Sequence, residues 1–360
     1  MTLKYKPDFE TTRKYFDAFW EKQMINRPVV CVTAPKKGAK SVKNNFTNVN
    51  ILNAKEDPER FRRLLADFEK YVQTIAYLGE SLPFACLDFG PDMYASFFGA
   101  TMFASDSVTT TWVKPLVTDW NAFNGQPDLS ENGTYNRYMS MLKMAAQFSE
   151  GKFLISCPDC HSNLDAISAL RGPQNMCYDL MDYPDEVEHA LHAIQELYPR
   201  FFDDVVTCGN MEKLGSIGWC PQYSSGRFAV VECDAICLIS PAQAARYVIP
   251  ALADECAVHD HVTFHLDGKE ALVHLDQILQ IREIDVIQWV PGDGNPRTIE
   301  WMDLLKKIQA AGKGLWIYDW TVEEIKMRFK ELKPEGVCFS VHAHHEDEAE
   351  ELLEYLEKHM

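Results

Sequence analysis

Short apolar runs recur along the chain, and most are separated by stretches whose apolar residues follow a helical spacing. Eight of these runs have the length and residue content of buried strands. They cover residues 29–32, 82–87, 153–155, 214–219, 262–264, 285–290, 314–318 and 336–341. Strands that alternate with helices are typical of parallel βα units. The pattern predicts one α/β domain over residues 1–360, a single (β/α)8 TIM barrel with an N-terminal helical extension.

The helices are predicted from the same periodicity. The first, over residues 9–24, forms the N-terminal extension, and Asp57-Pro58 marks the start of a second that is predicted to run to about Gly79. A β-rich excursion is predicted for residues 107–113. Further helices are predicted at residues 132–148, 164–170, 183–206, 240–259, 298–311, 321–332 and 346–358.

One predicted strand ends in residues that are suited to catalysis or metal binding. The run from His261 leads to His265-Leu266-Asp267-Gly268. Residues i and i+2 of a strand point to the same face, so His265 and Asp267 are predicted to face one site together. Catalytic residues of a TIM barrel lie at the carboxyl ends of its strands. The alternative is a structural His–Asp hydrogen bond at the end of the strand.

Composition narrows the classes of partner and the compartment. The net charge of −18 argues against nucleic acid and anionic membrane surfaces as partners. We find no apolar run of 18 residues and no apolar segment near the N-terminus of the kind that directs export. The 11 scattered cysteines are therefore interpreted as reduced thiols of a cytoplasmic protein.

Several motifs, each weak alone, occur together in a recognisable order. They are Asp88-Phe89-Gly90-Pro91, Gly99-Ala100 with Thr111-Trp112, Leu170-Arg171-Gly172 with Asp182-Tyr183-Pro184-Asp185-Glu186-Val187, Asp234 with Ser240-Pro241, His265-Leu266-Asp267-Gly268, and Ile287-Gln288-Trp289-Val290-Pro291-Gly292. Over most of its length the chain thereby resembles the uroporphyrinogen decarboxylase superfamily, which includes zinc-dependent corrinoid methyltransferases. The resemblance implies a (β/α)8 barrel and leaves a homodimer open, since dimers are common in the family.

The resemblance allows a decarboxylase, but one motif of that activity is missing. The decarboxylases carry an arginine-rich loop after the first strand that grips substrate carboxylates, and this chain has Thr33-Ala34-Pro35-Lys36-Lys37-Gly38 there. A highly acidic chain needs a compensating basic patch to hold a substrate with eight carboxylates. If the chain were such a lyase, Asp88 and His342 would be its catalytic residues, by resemblance to an aspartate and a histidine of the decarboxylases.

The resemblance to the methyltransferases implies a metal site. Those enzymes hold zinc with a His-x-Cys pair and a later cysteine; here His265 matches the histidine, Asp267 replaces the first cysteine, and Cys338 lies near the last. Zinc accepts such a set, and the carboxylate makes it less suited to activating a thiol. The implied activity moves a methyl group from a small ether or amine to a corrinoid carried by a separate protein. A barrel that binds a small ligand without catalysis is the third interpretation.

Other residues at strand ends are predicted to line the substrate pocket. Trp219, Trp289 and Tyr318 would form an aromatic wall suited to a methylated ammonium or an aromatic ether, unless they only pack at the rim. Asp159 and His161 follow Cys157 in a Cys-x-x-Cys-His stretch that lacks the second cysteine pair of a structural zinc site. The alternative there is a turn with buried thiols. Asp234 is the remaining pocket candidate.

Overall fold

The strands account for most of the predicted pattern. The structure, a computed structural model, describes residues 2–55, 57–104, 110–123 and 125–360. Within these residues the strands are β1 (Val29–Pro35), β2 (Ile75–Gly79), β3 (Phe84–Ala85), β4 (Met102–Ala104), β5 (Thr111–Val113), β6 (Leu154–Ile155), β7 (Ser216–Ile217), β8 (Tyr223–Ser224), β9 (Phe228–Glu232), β10 (His261–Asp267), β11 (Val286–Val290), β12 (Gly314–Ile317) and β13 (Val337–His342).

Seven strands form one sheet in the order β2-β1-β13-β12-β11-β10-β9. All neighbours in it are parallel except β2, which runs antiparallel to β1. β3 and β6 form a separate parallel pair, whereas β4–β5 and β7–β8 are antiparallel pairs. The fold is therefore mixed α/β with a mainly parallel sheet, as expected for an α/β barrel, and the strand pairing of the described residues does not close into a ring.

The helices lie mostly between the strands, as predicted. They are α1 (Phe9–Trp20), α2 (Asn48–Leu52), α3 (Pro58–Val72), α4 (Met93–Ser96), α5 (Gly133–Ser149), α6 (Asn163–Arg171), α7 (Pro173–Asp182), α8 (Pro184–Cys208), α9 (Met211–Leu214), α10 (Pro241–Gln243), α11 (Ile249–Cys256), α12 (Leu275–Ile278), α13 (Met302–Ala310), α14 (Val322–Arg328) and α15 (Glu346–His359). Asp57 caps α3 as its sequence suggests, accepting the N–H groups of Glu59 and Arg60. Among the described residues, no helix is long and apolar enough to cross a membrane.

The second predicted helix is shorter than expected. It ends at Val72, and residues 75–79, which we assigned to it, form β2 instead. The end of β2 requires glycine: Gly79 has φ of +56°, and a Cβ there would lie 2.2 Å from the carbonyl oxygen of Val30. Close pairing with β1 therefore overrides the helical spacing of this segment.

Two other predictions need adjustment. The predicted strand at 214–219 is reduced to β7, and the longer strand β9, which pairs with β10, was not predicted. The predicted excursion at 107–113 is represented by β5, which pairs with β4, while residues 105–109 lie outside the described part of the chain.

The N-terminal helix covers one end of the sheet. Trp20 of α1 stacks on His261, the first residue of β10, with ring centroids 4.7 Å apart, and donates its indole N–H to the carbonyl of Tyr223. Phe16 packs in the same buried cluster. Because His261 and His265 lie on the same face of β10, we call this the inner face; α1 closes its amino end and leaves the carboxyl end for the site.

Candidate functional site

One row of register partners crosses the inner face of the sheet. Glu232 of β9 pairs with His265 of β10, which pairs with Gln288 of β11. The row continues through Trp316 to Cys338. Partners in a ladder point to the same side, so these side chains share one face. The polar members stand together at the β9–β11 end of the row.

His265 is held in a defined orientation. Its Nδ1 lies 2.5 Å from Oε1 of Gln288, and an amide oxygen can only accept, so Nδ1 carries the proton. Nε2 is then the basic nitrogen. The edge-on ring of Trp219, with its centroid 5.4 Å from that of His265, packs beside the imidazole. The sequence thus folds so that a neighbouring strand selects the tautomer of His265.

Two carboxylates join His265. Ligand atoms of Asp234, His265 and Asp267 all lie within 4.8 Å of one another, and we call these three residues the His265 cluster. Asp234 begins a short 3-10 helix after β9, where its backbone N–H donates to Asp165 at 2.9 Å. Burial raises the pKa of Asp267, and the Asp234 carboxylate adds to the effect, while His265 opposes it. Two carboxylates are therefore held close together beside a ring nitrogen of His265.

The His265 cluster has the donor set of a metal site. Imidazole nitrogen and carboxylate oxygen are both accepted by zinc, and the hydrogen bond to Gln288 is the outer contact that metal-binding histidines usually make. Oδ1 of Asp267 is buried and has no hydrogen-bond partner among the described residues. A buried carboxylate oxygen without a partner is costly, and a cation would relieve that cost. The residues therefore fit a divalent metal ion.

A second cluster lies next to the first. Nε2 of His161 lies 3.4 Å from Oε1 of Glu232 and 3.8 Å from Oδ1 of Asp159, and we call these three residues the His161 cluster. On the other side of the ring, Nδ1 lies 3.6 Å from Oδ2 of Asp165. Glu232 is 2% exposed. The end of β9 therefore contributes Glu232 to one cluster and Asp234 to the other.

The electrostatics of this region are those of crowded carboxylates. Burial, with Asp159 nearby, raises the pKa of Glu232 well above its usual range. Burial disfavours the charged form of His161, but the surrounding carboxylates, Asp159 first, outweigh it and raise the imidazole pKa. Burial and Asp159 also raise the pKa of Asp88 to about 7. Asp88, together with Asp165, whose pKa burial raises to about 6, can therefore hold or release a proton near neutral pH.

The loop that carries His161 is anchored by hydrogen bonds at the point where it enters α6. Asn163 has φ of +43°, a left-handed conformation that asparagine tolerates better than most residues. Its amide donates to the carbonyl of Glu232 at 2.8 Å and to Glu255 at 3.1 Å. Ser162 donates to the same Glu255 at 2.6 Å. This network sets the position of His161 relative to β9.

The cysteines of the Cys-x-x-Cys-His stretch do not join the His161 cluster. Cys157 is 1% exposed and its thiol lies 3.6 Å from Sδ of Met211, and burial raises its pKa to about 12. Cys160 is buried too, and its pKa is also raised by burial. Of this stretch, the structure brings Asp159 and His161 to the site and leaves the thiols in the core.

The aromatic candidates occupy three different places. Trp219 contacts His265, and its ring also packs 5.7 Å from that of Trp316. Tyr318 lies at the rim, 37% exposed. Trp289 is not in the pocket: it pairs with Leu266, so it points to the opposite face from His265 and packs on Trp301. Trp219 packs against His265 of the cluster. Burial raises the pKa of Tyr318, and Asp319 and the nearby Asp267 of the cluster add to the effect.

Cys338 and His342 lie away from both clusters. Cys338 stands three strands from His265 in the row, about 14 Å along the sheet at the usual strand spacing, and is completely buried. A zinc–sulfur bond is about 2.3 Å, so the structure does not bring Cys338 to this site as a ligand. His342 pairs with Thr33, whose hydroxyl lies 3.0 Å from its Nδ1.

His342 lines a cavity of about 420 Å³ beside the sheet. Cys86 and Pro221 line it too, and Sγ of Cys86 lies 3.6 Å from the carbonyl oxygen of Trp219. Cys86 therefore links the lining of this cavity to the backbone of Trp219, whose ring packs beside His265. A volume of this size is ordinary for a small-molecule pocket.

Sequence reasoning missed three residues that shape the site: Glu232, Gln288 and Asp165. The signal for Glu232 was available, because Phe228-Ala229-Val230-Val231-Glu232 is an apolar run that ends in a carboxylate. Gln288 lies in the motif Ile287-Gln288-Trp289-Val290-Pro291-Gly292, in which its neighbour Trp289 is the residue predicted from the sequence to line the pocket. Asp165 carried no distinctive signal, since its role depends on how α6 packs against the turn after β9.

Comparisons with known proteins identify the fold. No protein-family model matches the chain, and no curated protein matches it in sequence. Among solved structures, the chain is similar to a methyltransferase from Methanosarcina mazei, with a TM-score of 0.62 over 96% of this chain and 98% of that chain. The two sequences are 11% identical, so the likeness is one of fold.

Proposed function

We propose that this chain is a metal-dependent methyltransferase of the uroporphyrinogen decarboxylase superfamily with a (β/α)8 barrel. It would move a methyl group from a small ether or amine to a corrinoid carried by a separate protein. The observation that carries the proposal is the His265 cluster, in which an oriented imidazole and two carboxylates converge at the carboxyl ends of β9 and β10. The fold shared with a methyltransferase supports it.

Asp234, His265 and Asp267 would hold the metal, with zinc as our first candidate. A bound zinc would act as a Lewis acid on the oxygen or nitrogen that carries the methyl group. Gln288 accepts a hydrogen bond from the Nδ1–H group of His265, which leaves Nε2 available for the metal. The carboxylates make the site harder than a thiolate site, which favours an oxygen or amine ligand.

The chain's own residues would position the substrate and supply a proton. The body of the substrate would lie against the indole ring of Trp219, which packs beside His265. The bond from the methyl carbon breaks with its electron pair left on the oxygen or nitrogen, which then needs a proton. Asp88, with a pKa of about 7, is suited to deliver it.

Charge argues against a polycarboxylate substrate. The two clusters contribute four carboxylates, and Asp88 and Asp165 lie beside them. Among the described residues that line the 420 Å³ cavity, none is lysine or arginine. A substrate with eight carboxylates would be repelled here, so incubation with uroporphyrinogen should give no decarboxylated product.

The test is metal content and methyl transfer in His265→Ala. We expect the purified wild-type chain to hold zinc and to methylate a reduced free corrinoid from small methylated ethers or amines. The variant should lose the metal of the His265 cluster. Its rate of methyl transfer should fall by more than the 10–100-fold that is typical when a residue hydrogen-bonded to a metal ligand is replaced. His344→Ala, which removes an exposed histidine outside both clusters, is the matched control. Methyl transfer that survives His265→Ala in folded protein would refute the proposal.

A further inference from the structure

The His161 cluster has the donor atoms of a second cation site. Its three ligand atoms, one nitrogen and two carboxylate oxygens, all lie within 4.8 Å of one another. They come from two separated segments, the loop before α6 and the end of β9. The donors are therefore brought together by the tertiary fold, and the same donor types occur in the His265 cluster.

Two oxygens in this cluster are buried without an ordinary hydrogen-bond donor. Oε1 of Glu232 and Oδ1 of Asp159 accept no hydrogen bond from an ordinary donor among the described residues, and without a cation the two carboxylates can only share a proton with each other. Glu232 is 2% exposed, so water does not compensate for the missing bond. These are the same two atoms that face Nε2 of His161, at 3.4 and 3.8 Å. Leaving such groups unsatisfied is costly, and all three atoms converge on one point where a cation would satisfy them.

The imidazole of His161 is oriented for that role. The Asp165 carboxylate lies 3.6 Å from Nδ1 and is fixed by the backbone N–H groups of Asp234 and Ala235, at 2.9 and 2.7 Å. A carboxylate on one ring nitrogen leaves the other nitrogen for a metal, an arrangement common behind metal-binding histidines. Asp165 therefore orients the ring of His161 in the same way as Gln288 orients the ring of His265.

The two clusters are direct neighbours. Glu232 and His265 are register partners on adjacent parallel strands, whose backbones lie about 4.8 Å apart. Asp165, which faces His161, also anchors the turn that carries Asp234 of the other cluster. Together the clusters hold four carboxylates and two histidines. When all four carboxylates are ionised, two divalent cations would balance their charge, and a single one would leave half of it.

We propose that Asp159, His161 and Glu232 bind a second divalent cation, so that the protein carries a two-cation centre. The donor set, one nitrogen and two oxygens, suits zinc or a harder cation such as Mn²⁺. In two-metal sites both ions contact the reacting oxygen or its leaving partner. The inference goes beyond the proposed function and does not depend on it, because it concerns the binding of cations without substrate.

The test counts bound cations. Protein stripped of metal with a chelator is titrated with Zn²⁺ alone, and the bound metal per chain is measured after removal of the excess. We expect two per chain for the wild type and one for Glu232→Gln and for His161→Gln, which alter different segments. His265→Ala should also bind one, and the double variant His161→Gln/His265→Ala none. His192→Gln, which changes an exposed histidine on α8, is the control and should bind two.

Spectroscopy separates the two sites. With Co²⁺ in place of Zn²⁺, the wild type should show two sets of visible absorption bands, and Glu232→Gln should lose one while His265→Ala loses the other. A single bound cation in the wild type would overturn the proposal, and so would two in folded Glu232→Gln and His161→Gln. Two cations in a protein that transfers no methyl group would contradict only the proposed function.

Discussion

Two histidines stand side by side in this molecule and are oriented by different means. His265 lies on a regular strand, and its Nδ1 faces the neutral amide of Gln288 on the next strand. His161 lies in a loop, and its Nδ1 faces the carboxylate of Asp165 on α6. Nε2 of His161 faces a pair of carboxylates, and a ring nitrogen of His265 lies close to another pair. A similar donor set is thus assembled once through strand register and once through the packing of a helix.

The residues that orient the two histidines, Gln288 and Asp165, differ in their other effects on the protein. An amide orients the ring without adding charge, whereas a carboxylate orients it and also favours the imidazolium form. Carboxylates around His161 indeed raise its pKa despite burial. Asp165 in addition satisfies two backbone N–H groups of the turn after β9. We therefore expect the His161 side to be more important for stability, and Gln288 to matter mainly for ligand affinity.

The largest effect is expected for Asp165→Leu. The change leaves the N–H group of Ala235 buried without a partner, at about 1–3 kcal/mol, and takes the acceptor from the partly buried N–H group of Asp234, which costs less. The free energy of unfolding, measured with urea, should fall by about 2–4 kcal/mol. Asp165→Asn keeps an acceptor oxygen and is the matched control, with a smaller loss. Equal stability of the Leu variant and the wild type would remove the distinction drawn between the two histidines.

The pH dependence of stability in Glu255→Gln tests how much the anchored loop of His161 contributes to the stability of the fold. Burial raises the pKa of Glu255, which anchors the His161 loop, to about 7, against about 4.5 in the unfolded chain. The protonated form is favoured by folding, so this contribution is full below pH 4.5 and is lost as the pH rises through 7.

At about 1.4 kcal/mol per pH unit, the loss in the wild type reaches about 3 kcal/mol between pH 5 and 8. Gln keeps the hydrogen-bond acceptor for Ser162 and has no charge to bury, so the variant should be the more stable protein at pH 8. Urea unfolding at pH 5, 6.5 and 8 measures the difference. A difference between variant and wild type that does not change with pH would mean that Glu255 is not protonated in the folded state.

The smallest effect is expected for Gln288→Leu. It removes the partner of Nδ1 of His265 without removing a ligand, and loss of such a partner typically costs 10–100-fold in metal affinity. Zn²⁺ competition with a chromogenic chelator should show this decrease, with stability changed by about 1 kcal/mol. Gln288→Glu restores an acceptor and should recover affinity. Unchanged affinity in Gln288→Leu would show that register alone orients His265.

Much of this could be predicted from the sequence, and the limits have physical causes. The two-residue repeat of a strand was enough to place His265 and Asp267 on one face. It could not say which residue of the pair Gln288 and Trp289 shares that face, because this depends on the register with the neighbouring strand.

Other features depend on contacts between distant segments. The helix predicted up to Gly79 fails because residues 75–79 pair with β1, which local spacing does not reveal. Cys338 lies on the correct face but three strands from His265, a separation that a one-dimensional motif cannot express. The His161 cluster needs the loop before α6 to meet the end of β9, and Asn163 makes that contact.

The row from Glu232 to Trp316 has an evolutionary consequence. Its members are aligned by backbone hydrogen bonds within the strands, whereas the connections between those strands lie outside the row. Insertions in the connections are thermodynamically cheap, since doubling a loop costs only about 0.6 kcal/mol. A single residue inserted within β10 would turn His265 or Asp267 to the other face. Descendants of this chain can therefore acquire new loops, and new substrates with them, while inheriting the same polar row unchanged.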